Sequence, residues 1–249
     1  MQSLRNRIIL KIMNEKDDIL MKKLVIIPAF NEEGNLEKTI QDIKENASGF
    51  DYVIINDCST DNTLDICRNH GYSYLNLPIN LGIGGAVQTG YRYAYYRGYD
   101  VAVQFDGDGQ HDATFLEQMV QQMVTHKADM VIGSRFIEKS GFQSSKIRRI
   151  GIKYFTGLIK LLTGQTITDP TSGMRMINRK LLKKFTESYP TDYPEPESVV
   201  EVLASNFTVI EIPVEMRERE SGISSISLAK SIYYMIKVSF AICIARWRK

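Results

Sequence analysis

Two carboxylates one glycine apart, Asp106-Gly107-Asp108, continue into Gly109-Gln110-His111 directly behind the apolar run Val101 to Phe105. Acidic side chains two positions apart at the end of a buried strand face one hard cation, and the glycines let the backbone approach a diphosphate closely. Mg²⁺ or Mn²⁺ is the natural occupant of such a site. Taken alone, the triplet reads equally as a solvated acidic turn. Its place at a strand end favours the cation, because ligands of open α/β sheets gather at the carboxyl ends of strands.

A second acidic group, Asn56-Asp57-Cys58-Ser59-Thr60-Asp61, follows the run Tyr52 to Ile55. Asp57 is placed to accept hydrogen bonds from a nucleotide's base or ribose, Thr60 to cap the next helix, and Asp61 to lend its charge to that helix's first turn. A third junction, Pro28-Ala29-Phe30-Asn31-Glu32-Glu33, closes the first apolar run. Pro28 stops the strand and the acidic pair opens a helix. Three successive βα junctions therefore converge on one crevice.

The elements that must hold these residues alternate. Strands are expected at Leu24–Ile27, Tyr52–Ile55, Tyr74–Leu77, Val101–Phe105 and Met130–Gly133, with helices at Glu33–Ala47, after Asp61, at Gly84–Arg97 and at Thr114–His126. This βαβ rhythm implies an α/β fold with a mostly parallel sheet. A polar segment, Glu138 to Arg149, reads as a mobile loop suited to a lid. A helix at Ile150–Leu162, turns at Thr163–Gly173, a helix near Glu197–Ser205 and a strand at Thr208–Val214 complete the unit. The boundaries expected are an N-terminal extension 1–21, a catalytic domain 22–225 and an amphipathic C-terminal helix 226–249.

From about Lys23 to Ser225 the chain resembles the family 2 glycosyltransferases, and among them the polyprenol-phosphate sugar synthases of the dolichol-phosphate mannose synthase type. The resemblance rests on Pro28 to Glu32, Asn56 to Asp61, Asn80-Leu81-Gly82-Ile83-Gly84, Asp106 to His111, Gly133-Ser134-Arg135 and Asp169-Pro170-Thr171-Ser172-Gly173-Met174-Arg175, six motifs in order. It implies a GT-A fold, a nucleotide-sugar donor with UDP-sugars favoured, and inversion at the anomeric carbon. It places the nucleotide against Pro28, Ala29, Asn31, Glu32, Asp57, Gly84, Asp106 and Arg135, and a Mg²⁺ or Mn²⁺ ion on Asp106, Asp108 and Gln110. The acceptor it implies is a polyprenyl phosphate, with a saccharide hydroxyl of a cell-surface polysaccharide as the alternative.

A hydroxyl acceptor needs a general base, whereas a phosphate acceptor is already anionic. Asp169, Glu195 and Glu197 are the candidates; the prolines around the last two hold the chain extended, and Glu195 reads as a solvated loop charge. Arg135 and Arg175 are each read either as forks for phosphate oxygens or as members of ion pairs. Arg217 and Arg219 belong to a glycine-containing closing loop that is expected to fold over the diphosphate. That loop departs from the family at Ser224-Ser225-Ile226, where relatives carry a lysine. Gly82, Gly84 and Gly85 suit close packing at a helix start. His111 either orders the metal site or caps the following turn.

The 31 basic and 29 acidic residues nearly cancel, which argues against a nucleic-acid partner. Three cysteines without paired spacing, and an N-terminus without the apolar core of a signal peptide, fit the cytoplasm. No stretch reaches the ~20 apolar residues that span a bilayer. The apolar, aromatic and basic tail from Ile232 to Trp247 suits peripheral contact at the inner face of the plasma membrane, and equally packing on the catalytic domain or within a homo-oligomer. A nucleotidyltransferase is disfavoured because no glycine-rich loop follows the first strand, and a dinucleotide oxidoreductase because no G-x-G-x-x-G does. A catalytically silent sugar-nucleotide-binding protein would not need Asp106, Asp108 and Arg175.

Overall fold

A computed structural model describes residues 21–138, 141, 146–217 and 228–247. The N-terminal extension, half of the segment expected as a lid, and Arg219 with the rest of its closing loop lie outside the described residues. Seven strands form one sheet in the order β3-β2-β1-β4-β6-β5-β7: β1 Lys23–Ala29, β2 Asp51–Asn56, β3 Tyr74–Asn76, β4 Val101–Gln104, β5 Met130–Ser134, β6 Arg175–Asn178 and β7 Val209–Pro213. Every residue of β1 and β4 is buried, as expected of strands covered on both faces. The helices are α1 Leu36–Asn46, α2 Thr63–Asn69, α3 Gly82–Tyr96, α4 Leu116–His126, α5 Lys146–Thr163, α6 Arg179–Glu187, α7 Pro194–Ala204 and α8 Leu228–Trp247. Two apolar cores result, one holding Leu24, Ile26, Phe155 and Val199, the other Val25, Ile27, Ile40 and Met119.

Two features of the topology position the site. The chain runs outward from β1 through β2 to β3 and then returns to place β4 on the other side of β1. The ends of β1 and β4 thus flank a topological switch point, where a crevice opens in such sheets. The second feature is β6, which runs antiparallel between β4 and β5. An antiparallel strand begins at the edge where its neighbours end, so the turns of Asp169–Met174 are delivered to the same crevice.

Four expectations need correction. The first helix starts at Leu36, three residues late, because Asn35 and Leu36 donate in a turn to the Glu32 carbonyl. β6 and α6 occupy a stretch where the sequence reading placed no element. The prolines of Asp192 to Glu197 do not hold the chain extended: Pro194 opens α7, a position where its missing N–H costs nothing. Arg148 and Arg149 belong to α5 and not to a loop.

Candidate active site

The first two junctions are knitted together by side chains. Asn31 accepts from the Thr60 backbone at 2.8 Å and its own N–H reaches Ser59 Oγ at 3.0 Å. Glu32 N–H donates to Thr63 Oγ1 at 2.9 Å, and Glu33 accepts from the Asn62 backbone at 3.0 Å. Asn31 and Cys58 both have positive φ, 57° and 59°. Asparagine tolerates that region, whereas at Cys58 it costs on the order of 1 kcal/mol, held in place by the surrounding hydrogen bonds. Thr60 is therefore not a helix cap; its hydroxyl faces Asn31. Asn62 is the N-cap residue and makes no side-chain cap bond; Asp61, one residue earlier, accepts from Thr63 N at 3.0 Å and Oγ1 at 2.6 Å. Burial pushes the Asp61 carboxyl up, yet the Thr63 and Glu33 hydrogen bonds hold it below its ordinary value.

Asp57 is buried, and one of its oxygens accepts from Leu81 N at 2.7 Å while Asn80 Nδ2 reaches its carbonyl at 3.2 Å. It locks the loop after β3 onto the end of β2. Around it Phe30, Ile79, Leu81 and Ile83 stand exposed, an apolar rim that the sequence reading missed because single exposed apolar residues carry no pattern. Gly84 is explained by packing: a Cβ there would lie 2.3 Å from the Pro190 carbonyl.

The third junction meets the first at Gly107, where a Cβ would stand 3.2 Å from the Pro28 carbonyl and 3.6 Å from Glu32 Cγ. Asp106 lies beside it with its side chain 34% exposed. Its Oδ1 accepts from Gln104 Nε2 at 3.0 Å, and its Oδ2 accepts no hydrogen bond among the described residues. A Cβ at Gly173 would come within 2.4 Å of that Oδ2, so only glycine lets the 169–174 turn lie against the carboxylate. His111 is fully buried. Its Nδ1 accepts from Asp106 N at 3.1 Å, which places the neutral ring's proton on Nε2. That Nε2 has no hydrogen-bond partner among the described residues and stands 3.6 Å from Asp106 Oδ2. His111 thus steadies Asp106 from behind. Asp108 Oδ1 accepts from Gln110 N at 3.1 Å, and Gln110 Nε2 reaches the Arg217 carbonyl at 3.4 Å.

No group of three or more His, Cys, Asp or Glu is gathered for a metal among the described residues. The site still fits the expected cation. Mg²⁺ and its like are commonly held by one or two carboxylates, with substrate phosphates and water completing the shell. Asp106 offers an oxygen without a hydrogen bond beside an orphaned histidine nitrogen, and Asp108 and Gln110 add hard oxygens.

The arginines are disposed otherwise than the sequence suggested. Arg135 and Asp169 form a buried, two-pronged pair, Nε to Oδ2 at 2.6 Å and Nη2 to Oδ1 at 2.8 Å, 5% and 0% exposed. Arg135 thus bonds a carboxylate in place of phosphate, and Asp169 is engaged on both oxygens and is no unencumbered base. Glu211, overlooked in the sequence, supports this turn by accepting from Thr168 N at 2.7 Å and Asp169 N at 2.9 Å. Arg175 is 1% exposed, and its nitrogens go to the carbonyls of Ser172, Pro170 and Glu195 and to Ser198 Oγ. It frames the turn against α7 and offers no fork to a diphosphate. Arg217 turns away as well, pairing with Asp42 at 3.1 Å and Asp112 at 3.2 Å. Burial works against its charge, but those two carboxylates hold its pKa above the ordinary value.

Glu195 is not a solvated loop charge. Burial pushes its carboxyl up, the nearby Arg175 charge offsets part of the rise, and Asp106 adds to it. Glu197 sits half-buried in the first turn of the same helix.

A sheet of this order, with acidic strand ends around its switch point, defines the GT-A class of α/β proteins. The model of the family described as Glycosyl transferase family 2 matches residues 24–186, and the chain belongs to that family. It is 29% identical to a UDP-N-acetylglucosamine–dolichyl-phosphate N-acetylglucosaminyltransferase of Methanococcus voltae, over 77% of this chain and 84% of that one. It is 28% identical to an undecaprenyl-phosphate mannosyltransferase of Micrococcus luteus, over 83% and 88%. In fold it is similar to glucosyl-3-phosphoglycerate synthase of Mycobacterium tuberculosis, solved with Mn²⁺, UDP and glucosyl-3-phosphoglycerate. The TM-score is 0.70 at 18% identity, covering 94% of this chain and 82% of that one. The protein is thus a family 2 glycosyltransferase.

Proposed function

We infer that this enzyme moves a sugar from a nucleoside-diphosphate donor, a UDP-sugar, to a polyprenyl phosphate with inversion at the anomeric carbon. The observation that carries the reading is Asp106: a carboxylate at the switch point with one oxygen that accepts no hydrogen bond among the described residues, backed by His111 and bedded on Gly173. The acceptor class is supported by the two relatives, whose names specify dolichyl and undecaprenyl phosphate. The relatives differ in sugar, so the donor's sugar is left to experiment.

In this reading Asp57 and the loops around Asn31 and Glu32 seat the nucleotide, and the Phe30–Leu81 rim flanks its base. Asp106, Asp108 and Gln110 would hold Mg²⁺ or Mn²⁺, and such an ion would supply Lewis-acid stabilisation of the charge that grows on the leaving group. A phosphate oxygen of the acceptor attacks the anomeric carbon from the face opposite the diphosphate. The new C–O bond forms as the bond to the donor's β-phosphate oxygen breaks, and the nucleoside diphosphate leaves with its electron pair. No proton is removed from the acceptor, so Asp169 is not needed as a base.

A saccharide hydroxyl is the second reading, favoured by Glu195. A carboxyl that burial pushes above its ordinary value suits a general base. The experiment offers the purified enzyme a panel of nucleotide sugars with Mn²⁺, Mg²⁺ or EDTA, and then undecaprenyl phosphate. Metal-dependent transfer to the lipid that survives Glu195→Gln supports the first reading. Transfer only to saccharides, lost in Glu195→Gln, supports the second, and turnover of no donor would overturn both.

A further inference from the structure

The C-terminal half carries a charge asymmetry that sugar transfer does not use. α5 holds five lysines and arginines and α8 three, and neither contains an aspartate or glutamate. Because the whole chain is +2, everything outside these two helices sums to −6. The helices lie side by side and run the same way. Tyr154 Oη meets Ser239 Oγ at 3.1 Å, and Arg246 Nε donates to the Leu162 carbonyl at 2.9 Å, sequence offsets of 85 and 84 that place the two helices in step.

Each helix is apolar on two sides. Ile152, Phe155 and Ile159 of α5, with Val238, Ile242 and Ala245 of α8, are buried in the protein. On the outer side Ile150, Tyr154 and Leu161 stand 67%, 46% and 81% exposed, beside Ile236, Phe240 and Ile244 at 55%, 67% and 57%. The α8 row has the i, i+4, i+8 spacing of a single helix face. Exposed Lys153 and Lys160 alternate with the α5 row, and no ion pair joins either to a carboxylate among the described residues. A groove of ≈ 430 Å³ opens between Tyr154 and Phe240, floored by Ser239 and Cys243. Its position near the site is fixed by Lys237, which pairs with Asp192 at 2.9 Å, three residues ahead of Glu195.

We propose that this helix pair is a docking face for an anionic lipid bilayer. The apolar rows enter the boundary between headgroups and acyl chains, the lysines meet lipid phosphates, and the net-negative remainder of the protein is turned away. Neither helix spans: no helix among the described residues is long and apolar enough to cross a membrane. A second copy of the chain suits the face poorly, since a two-fold contact would set eight cations against eight. The proposal stands on the helix pair alone and does not depend on the acceptor assignment.

The test is co-sedimentation of the full chain with phosphatidylcholine vesicles prepared with and without phosphatidylglycerol, containing no polyprenyl phosphate and no donor. The expected result is salt-sensitive binding to the anionic vesicles, reduced roughly tenfold by Phe240→Ser and also by the double variant Lys153→Glu/Lys160→Glu. Because these side chains are exposed, the circular dichroism spectrum and thermal midpoint of both variants should match the wild type. Absence of binding, equal binding to both vesicle types, or binding unchanged in both variants would overturn the proposal. So would a dimer in solution that Phe240→Ser dissolves, an outcome that gives the face to a second copy.

Discussion

Asp106 and Asp169 are both acidic residues at the carboxyl edge of one sheet, and their surroundings are opposite. Asp106 keeps a third of its side chain exposed, with one oxygen bonded to Gln104 and the other without a hydrogen bond among the described residues. Asp169 is wholly buried, and both its oxygens are engaged by Arg135. Arg175 repeats the second pattern with carbonyls in place of a carboxylate. Charge that is saturated by its neighbours fixes the shape of a loop, whereas charge left under-bonded beside an opening is available to a ligand. The two clusters touch at Gly173, so the saturated half sets the position of the available one.

The comparison breaks most visibly if Asp106 is neutralised. Asp106→Asn keeps the shape and should lower kcat by ~10²–10³ while the thermal midpoint stays put, which paired activity and melting measurements check. Arg135→Ala should do the reverse. It strands a buried carboxylate and is expected to cost ~3–5 kcal/mol of stability in denaturant unfolding, a loss that Asp169→Asn in the same chain should partly recover.

Gly173→Ala probes the contact between the halves. A methyl group cannot share space with Asp106 Oδ2, so the turn or the carboxylate must shift, and kcat should fall about 10- to 100-fold, with a smaller change in stability than Arg135→Ala produces.

The smallest effect expected is at Glu195. Its folded pKa is raised, so the folded state favours the protonated form. The associated stability is complete below the ordinary glutamate pKa and is lost as pH rises through the folded value. Glu195→Gln removes that loss. Its melting temperature should therefore gain on the wild type as pH rises from the acid side through the folded pKa. A gap that is constant with pH would mean that Glu195 is solvated after all.

How much of this was written in the sequence follows the range of the interactions involved. β1, β2 and β4 are legible because strands buried on both faces are continuous apolar runs. The acidic motif is legible because its glycines and its spacing act within a few residues. β6 is not: it is four residues long and opens with Arg175, whose charge is accommodated by the carbonyls of Pro170 and Ser172 and, from twenty or more residues away, by the Glu195 carbonyl and Ser198 Oγ. Arg135 and Asp169 are separated by 34 residues, and nothing local to either announces the other. Pro-Glu-Pro-Glu reads as extended chain until the packing of α7 turns its prolines into a helix start and draws Glu195 inward. His111 is legible as part of the acidic motif, but its two roles separate only through the hydrogen bond that its Nδ1 accepts from Asp106 N.

In the mechanism proposed above, Asp106 and Asp108 would hold a divalent cation for the donor's diphosphate. Calorimetric titration of UDP and GDP into the wild type and Asp108→Asn, with Mn²⁺ and with EDTA, tests it most directly. One of the two nucleotides should bind the wild type at least tenfold more tightly with Mn²⁺, and Asp108→Asn should abolish that difference while its melting profile is unchanged. Nucleotide binding that is equally tight in EDTA, or an Mn²⁺ effect that survives Asp108→Asn, would mean that these carboxylates hold no such cation.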